Sequence, residues 1–233
     1  MDGHAHIARA LAESARAMHQ PSTLDEVLNA IVHAARTSVP GIDQVSISAI
    51  HRDGRMETLA GTDPIVWEMD KLQYQLEEGP CVDTLRGKAE MTLGEDLRHH
   101  QEWPRYAPPA VEGGVRAQMG LRLHTDRETL GGLNLYSTSS ETLPDGVEDV
   151  AEPFAVHAGI ALARARQLNQ LNTAIESRQL IGQAVGMVME RYQVPEGRAF
   201  QFLVRASSSS NTKLRDVARQ MVDQINNPPQ DPS

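Results

Sequence analysis

Residues 147–192 read VEDVAEPFAVHAGIALARARQLNQLNTAIESRQLIGQAVGMVMERY, and this run decides how the chain is organised. It holds one proline, Pro153, close to the start, where a helix tolerates it. Phe154, Ala158, Ala161, Ala165, Leu168, Asn172 and Ile175 follow one another at alternating spacings of four and three, which is a heptad seam. One unbroken helix is predicted; a rise of about 1.5 Å per residue makes it roughly 60 Å long, more than one small domain covers. The seam predicts a parallel homodimer, with Asn172 at a core position fixing the register. A stripe packed on the chain's own core has the same spacing, so the pattern leaves that alternative open.

Upstream, Ile7, Leu11, Ala15 and Met18 predict a helix over residues 4–18, broken by Pro21-Ser22-Thr23. Thr23 or Ser22 can cap a second helix that carries Leu24, Val27, Leu28, Ile31, Val32 and Ala35 on one face. Val45-Ser46-Ile47-Ser48-Ala49-Ile50 alternates like a half-buried strand. Asp53-Gly54 is a hairpin turn leading to a strand over residues 56–60. Residues 63–75 look helical, a short helix is expected at residues 81–85, and residues 94–114 look like loop. Strands are expected at 116–124 and 129–137, turning at Asp126-Arg127. This order predicts an α+β domain, an antiparallel sheet with helices packed on it.

Downstream, Leu180, Ile181, Ala184, Val185, Val188 and Tyr192 share one face of the long helix; Gln179, Gly182, Gln183, Gly186 and Glu190 share the other. Two glycines inside a helix cost about 1 kcal/mol each relative to alanine. Close approach of another backbone, of this chain or of a ligand, would offset that. Val194-Pro195-Glu196 restarts a helix with proline at its first position and Ala199, Phe200, Leu203 and Ala206 as its core stripe. Ser207 to Ser210 is expected to turn, and Asn211-Thr212 to cap a third helix through a side-chain oxygen. Lys213 and Arg215 then stand at a helix N-terminus, where free N–H groups already favour anions. Residues 226–233 are expected to be a disordered tail.

The chain has 233 residues, 40% hydrophobic and 4% aromatic, with a net charge of −9. So few aromatic residues argue against a stacking-platform binder of single-stranded nucleic acid. The charge is segregated: residues 169–233 are net +1 and the remainder −10. An acidic body repels polyanions, so any nucleic-acid function belongs to the C-terminal segment. No apolar run approaches the roughly 18 residues of a membrane span. Met1-Asp2-Gly3-His4 lacks the basic and apolar regions of a signal peptide. One cysteine, Cys81, excludes an internal disulfide framework and a multi-cysteine zinc site; a reducing, cytoplasmic setting is expected.

The segment Ala174-Ile175-Glu176-Ser177-Arg178-Gln179-Leu180-Ile181-Gly182-Gln183-Ala184-Val185-Gly186-Met187-Val188-Met189, followed by Ala199-Phe200, Leu203, Ala206-Ser207 and Asn211-Thr212-Lys213-Leu214-Arg215-Asp216-Val217-Ala218, resembles the ANTAR domain. The resemblance implies a three-helix RNA-binding module of a bacterial transcription antiterminator. It would engage paired hairpins with six-nucleotide loops in nascent RNA, usually as a dimer. The implied recognition residues are Gln183, Gly186, Met187, Asn211, Thr212, Lys213 and Arg215, with a contribution from Arg178. This chain departs from the family in having Val194 where a serine-type cap is common.

Residues 1–165 resemble a GAF domain through Glu77-Glu78-Gly79-Pro80-Cys81, Gly131-Gly132-Leu133-Asn134-Leu135-Tyr136-Ser137 and the helix carrying Phe154-Ala155 and Ala158. The resemblance implies a sensor domain that passes its signal through a C-terminal helix, in an order found in actinobacterial regulators. The expected division is therefore a GAF-like domain at 1–165, an ANTAR domain at 166–225 and the tail.

Cys81, Trp103 and Tyr106 are the candidates to line a ligand pocket, with His99 and His100 nearby in sequence; Trp67 is expected in the core. Cys81 reads better as a small buried hydrophobe than as a reactive thiol. The sequence points to no cofactor and no metal, and to a small-molecule or upstream signal whose identity it does not give. No nucleophile–base pair, P-loop or metal motif is present, and a lone cysteine lacks the resolving partner a thiol redox cycle needs. The expected activity is therefore non-enzymatic RNA binding. The alternatives are a DNA-binding regulator that reads with its third helix and a Cys81-dependent redox enzyme.

Overall fold

The computed structural model describes residues 16, 18, 23–51, 53–125 and 128–226. Apart from Arg16 and Met18, the helix expected over 4–18 lies outside the described residues, as do the Asp126-Arg127 turn and positions 227–233 of the expected tail. The chain divides into two compact units, the first ending at Gln167 and the second beginning at Leu168.

The first unit opens with helix α1 (Leu24–Ser38), started by a capping box: Thr23 Oγ1 accepts from the Glu26 N–H and the Glu26 carboxylate accepts from the Thr23 N–H, both at 3.2 Å. Strands β1 (Gln44–Ile50) and β2 (Met56–Gly61) form the expected hairpin. Helices α2 (Pro64–Leu76) and α3 (Pro80–Leu85) follow, then strand β3 (Met91–Gly94), helix α4 (Ala107–Glu112), and strands β4 (Ala117–His124) and β5 (Thr129–Ser137). The sheet is antiparallel in the order β2-β1-β5-β4-β3. Neither β3 nor α4 is evident from the sequence. The strand is only four residues long, and the helix holds two consecutive prolines.

Helix α5 (Glu148–Tyr192) is the long helix, 45 residues without a break. Its N-terminal part packs with α1 on one face of the sheet. Phe154, Ala158, Ala161, Ala165 and Leu162 are buried there with Ile31, Val45, Ile47, Met119, Leu133 and Leu135. The first four of the expected seam positions therefore belong to this chain's own core and are unavailable to a partner. The opposite sheet face is covered as well, by α2, α3, α4 and the segments between them. Ser46 and Ser48 are therefore fully buried, although their alternation with Val45 and Ile47 suggested one wet face. Trp67, expected in the core, is 44% exposed.

Gly131 shows how close the central strands run. A Cβ there would lie 2.3 Å from the Ser48 carbonyl oxygen, which is backbone and cannot rotate away. Gly131→Ala is expected to destabilise this unit by about 1–3 kcal/mol, the usual range for overpacking. Both tryptophans, Trp67 and Trp103, lie in this unit, so a thermal melt followed by tryptophan fluorescence reads the effect; an unchanged midpoint would refute it.

The second unit is a three-helix cluster formed by the C-terminal part of α5, α6 (Glu196–Ser210) and α7 (Leu214–Asn226). Ala184, Val185 and Val188 meet Ala199, Leu203 and Ala218 in its core. Helix α5 ends where Gln193 takes a left-handed conformation, φ 51°. Pro195 is the N-cap of α6 and not its first helical residue. Ser207 to Ser210 do not turn; they complete α6, with Ser210 Oγ donating back to the Ala206 carbonyl at 2.8 Å. Asn211 is the left-handed C-cap of α6, φ 50°, not a cap for the third helix. Phe200 and Tyr192, assigned to core faces by spacing, are 40% and 53% exposed.

Candidate nucleic-acid interface

In the second unit the expected recognition residues fall into two groups. The first surrounds a groove of about 450 Å³ between α5 and α6, lined by Arg178, Gly182, Gly186, Met189, Glu196 and Phe200, among others. A Cβ added at Gly182 or Gly186 would meet nothing within 4 Å. Neither glycine serves close packing among the described residues, so their helix cost is not offset there. Arg178 and Gly186 thus share this groove. Gln183, which is exposed, and Met187, which is half-buried, do not line it.

The second group lies at the α6–α7 junction. Ser207 Oγ donates to the Thr212 carbonyl at 2.6 Å, and the Thr212 N–H donates to the Ser207 carbonyl at 3.1 Å, tying the connection down. The Lys213 carbonyl accepts from the Asp216 and Val217 N–H groups, so Lys213 stands at the cap position of α7 and Arg215 in its first turn. Lys213 is exposed and makes no ion pair among the described residues; Arg215 pairs with Asp216 at 3.4 Å. Two cations at a helix N-terminus, one of them unpaired, suit an anionic ligand.

The remaining seam positions also fall in this unit. Leu168 is 46% exposed and Ile175 62%, with Leu171 between them at 53%; Asn172 is exposed beside them. Leu168, Leu171 and Ile175 form an uncovered apolar stripe at spacings of three and four.

The candidate pocket residues of the first unit are all interior. Trp103 is buried, donating from Nε1 to Asp83 at 3.0 Å, with His100 stacked on its ring. Buried Tyr106 donates to Gln118 Oε1 at 2.5 Å. Cys81 is fully buried. Its N–H donates to Gln73 Oε1 at 2.9 Å, and its thiol contacts Ser48 Oγ at 3.4 Å. Burial, and then the nearby Asp70 carboxyl, push the Cys81 thiol far above its ordinary pKa, so little thiolate forms there. A groove of about 610 Å³ on this unit lies elsewhere, between β3, β4 and α5, and includes Glu90, Arg122, Val156 and Ile160.

Sequence reasoning missed the group at the centre of that interior, Asp70. It is fully buried and accepts from Thr58 Oγ1 at 2.8 Å, Asn134 Nδ2 at 3.0 Å, Ser48 Oγ at 3.5 Å and the Tyr136 hydroxyl. Tyr74 joins through Ser48 at 2.5 Å and Thr58 at 3.1 Å. Burial raises the Asp70 pKa, and hydrogen bonds from Tyr136, Thr58 and Asn134, which favour the ionised form, do not cancel it. The Glu77-Glu78-Gly79-Pro80-Cys81 stretch is the corner that closes this interior. Glu77 is a left-handed cap on α2, φ 55°, and Glu78 accepts from the Arg105 and Tyr106 N–H groups at 2.7 and 3.2 Å. Gly79 sits at φ 126°, where a Cβ would strike Gln73. Among the described residues no three His, Cys, Asp or Glu side chains assemble as a metal site, and no helix is long and apolar enough to cross a membrane.

Two known families match the chain, one inside each compact unit. Residues 21–163 match the GAF domain family and residues 169–222 the ANTAR domain family. The fold is similar to the GAF domain of an Acinetobacter phosphoenolpyruvate-protein phosphotransferase (TM-score 0.55, 15% identity, 71% of this chain and 98% of that one). It is also similar to a bacteriophytochrome from the photosynthetic bacterium R. palustris (TM-score 0.56, 10% identity, 78% of this chain and 42% of that one). A third likeness is the photosensory core module of a Stigmatella aurantiaca phytochrome (TM-score 0.55, 17% identity, 85% and 44%). The chain thus spans less than half the length of either phytochrome. At these identities the likeness shows the fold alone. No curated protein matches the sequence. Its longer part belongs to the GAF domain family and its C-terminal part is an ANTAR domain: the chain is a GAF–ANTAR regulator, a sensor domain followed by an RNA-binding antitermination domain.

Proposed function

We propose that two copies of this chain bind paired hexaloop hairpins in a nascent transcript, one hairpin per ANTAR unit, and so prevent a terminator from forming. The observation that carries this reading is the surface of the second unit. An otherwise acidic chain presents there the cations Arg178, Lys213 and Arg215 around an open groove and a helix N-terminus. Specific reading of RNA targets unstacked loop bases, which such a groove admits. Leu168, Leu171 and Ile175 supply the contact between copies. Asn211 and Thr212 shape the approach to Lys213, and Gln183 and Met187 flank the groove on α5. The GAF unit supplies the signal input or steadies the dimer, and the protein acts without catalysis, in the cytoplasm.

The test is a gel-shift titration of the full chain with a two-hairpin RNA, a one-hairpin RNA and duplex DNA. The two-hairpin RNA is expected to bind most tightly. Lys213→Ala/Arg215→Ala is expected to weaken binding at least tenfold and to lower the salt slope by about one per cation removed. Equal binding to duplex DNA would favour a DNA-binding regulator instead, and an unchanged double variant would remove these two cations from the interface.

A further inference from the structure

We propose that the groove between α5 and α6 receives one extruded loop base, stacked on Phe200 and seated against the bare backbone of Gly182 and Gly186, with Arg178 on its phosphate and Glu196 on its amino-bearing edge. This rests on the RNA-binding reading and adds the ligand subsite.

Four observations converge. The glycines leave space that nothing among the described residues fills, at a cost to helix stability that nothing among them offsets. Phe200 is 40% exposed although it neighbours the core residue Ala199, and it lines the groove. Arg178 is exposed and has no ion-pair partner among the described residues, so a phosphate meets a free guanidinium. Glu196 is likewise exposed and unpaired among the described residues. Its carboxylate repels phosphate but accepts from exocyclic amino groups, which favours an adenine, cytosine or guanine edge over uracil.

A second copy of the chain is the competing occupant, and charge argues against it. Arg178 follows Ile175 on the stripe of Leu168, Leu171 and Ile175. A parallel two-fold pairing would bring Arg178 toward its own equivalent, so the apolar contact ends at Ile175 and the groove beyond it stays open to an anion. The chain's low aromatic content argues against a stacking platform for single strands, but one ring suffices for one base.

The test uses the full chain and the two-hairpin RNA. Phe200→Ala is expected to weaken binding by about 5- to 100-fold, the range of one base–aromatic stack, while Phe200→Trp retains it. On adding RNA the introduced indole should be quenched. Gly186→Leu should weaken binding similarly while the ANTAR helices melt no lower than in the parent, because its side chain enters empty space. Glu196→Gln should narrow the preference for amino-bearing bases, read by substituting uracil at each loop position. Tight RNA binding by Phe200→Ala and Gly186→Leu with an unquenched indole would overturn the base pocket and leave the RNA-binding reading standing. Failure of the parent chain to bind any hairpin RNA would overturn both.

Discussion

Leu168→Asp/Ile175→Asp is expected to turn the chain into a monomer and to weaken its binding to paired hairpins by about 10²- to 10⁴-fold, while binding to a single hairpin changes little. The two side chains are 46% and 62% exposed, so replacing them removes little packing inside the unit. What they lose, in the proposed dimer, is a partner helix. In a parallel pair each aspartate would face its own equivalent across the seam, where burying like charges is prohibitive. The affinity loss follows from avidity: once one ANTAR unit is bound, the second binds at an effective concentration set by the dimer, and separation of the copies abolishes that gain without altering either surface. Sedimentation velocity reads the first effect and gel shifts with two-hairpin and one-hairpin RNA the second. A variant that sediments like the parent and keeps its preference for two hairpins would sink the seam.

That seam also shows what the sequence could not settle. From Phe154 to Ile175 the spacing is uniform, yet Phe154, Ala158, Ala161 and Ala165 face the chain's own sheet, whereas Leu168 and Ile175 are exposed. Periodicity reports that a helix face is apolar; which surface covers it depends on where the sheet ends. The same limit explains Phe200 and Tyr192, apolar residues at core spacing that a cluster of three short helices has too little surface to bury. The antiparallel sheet, its two hairpins and the two glycines on the outer face of α5 were legible, because turn residues and alternation are local signals. The α6–α7 junction was half legible: Asn211 marks a boundary, but the left-handed cap of one helix and the N-cap of the next draw on the same residue types. Asp70 was not legible at all. Its partners Ser48, Thr58, Asn134 and Tyr136 come from three strands, and each looks like an ordinary solvent-facing position until both sheet faces are covered.

Asp70→Ala is expected to destabilise the GAF unit by about 3–5 kcal/mol, since it removes the shared acceptor of four hydrogen bonds and leaves the buried Tyr136 hydroxyl without one, while Asn134 Nδ2 keeps Ser46 and Ser48 and Thr58 Oγ1 keeps Tyr74. At a few degrees per kcal/mol the midpoint of the tryptophan-detected melt should fall by about 10 °C or more. Asp70→Asn separates hydrogen bonding from charge. It keeps an acceptor for Tyr136 and Asn134, and its amide can donate toward Ser48 and Thr58, whose hydroxyls can turn to accept. Its effect at acid pH should therefore be much smaller than that of alanine. Its pH dependence should also differ from the parent's. Burial raises the Asp70 pKa in the folded state above its unfolded value, so its contribution to stability is complete below the unfolded carboxyl range and is lost as pH rises through the folded pKa. The parent melt should thus fall more steeply with rising pH than that of Asp70→Asn; other titrating groups act alike in both chains and cancel in the difference. Parallel curves would mean that the ionised carboxylate is accommodated in the fold by Tyr136, Thr58, Asn134 and Ser48, and that Asp70 holds these elements together as a charged hub.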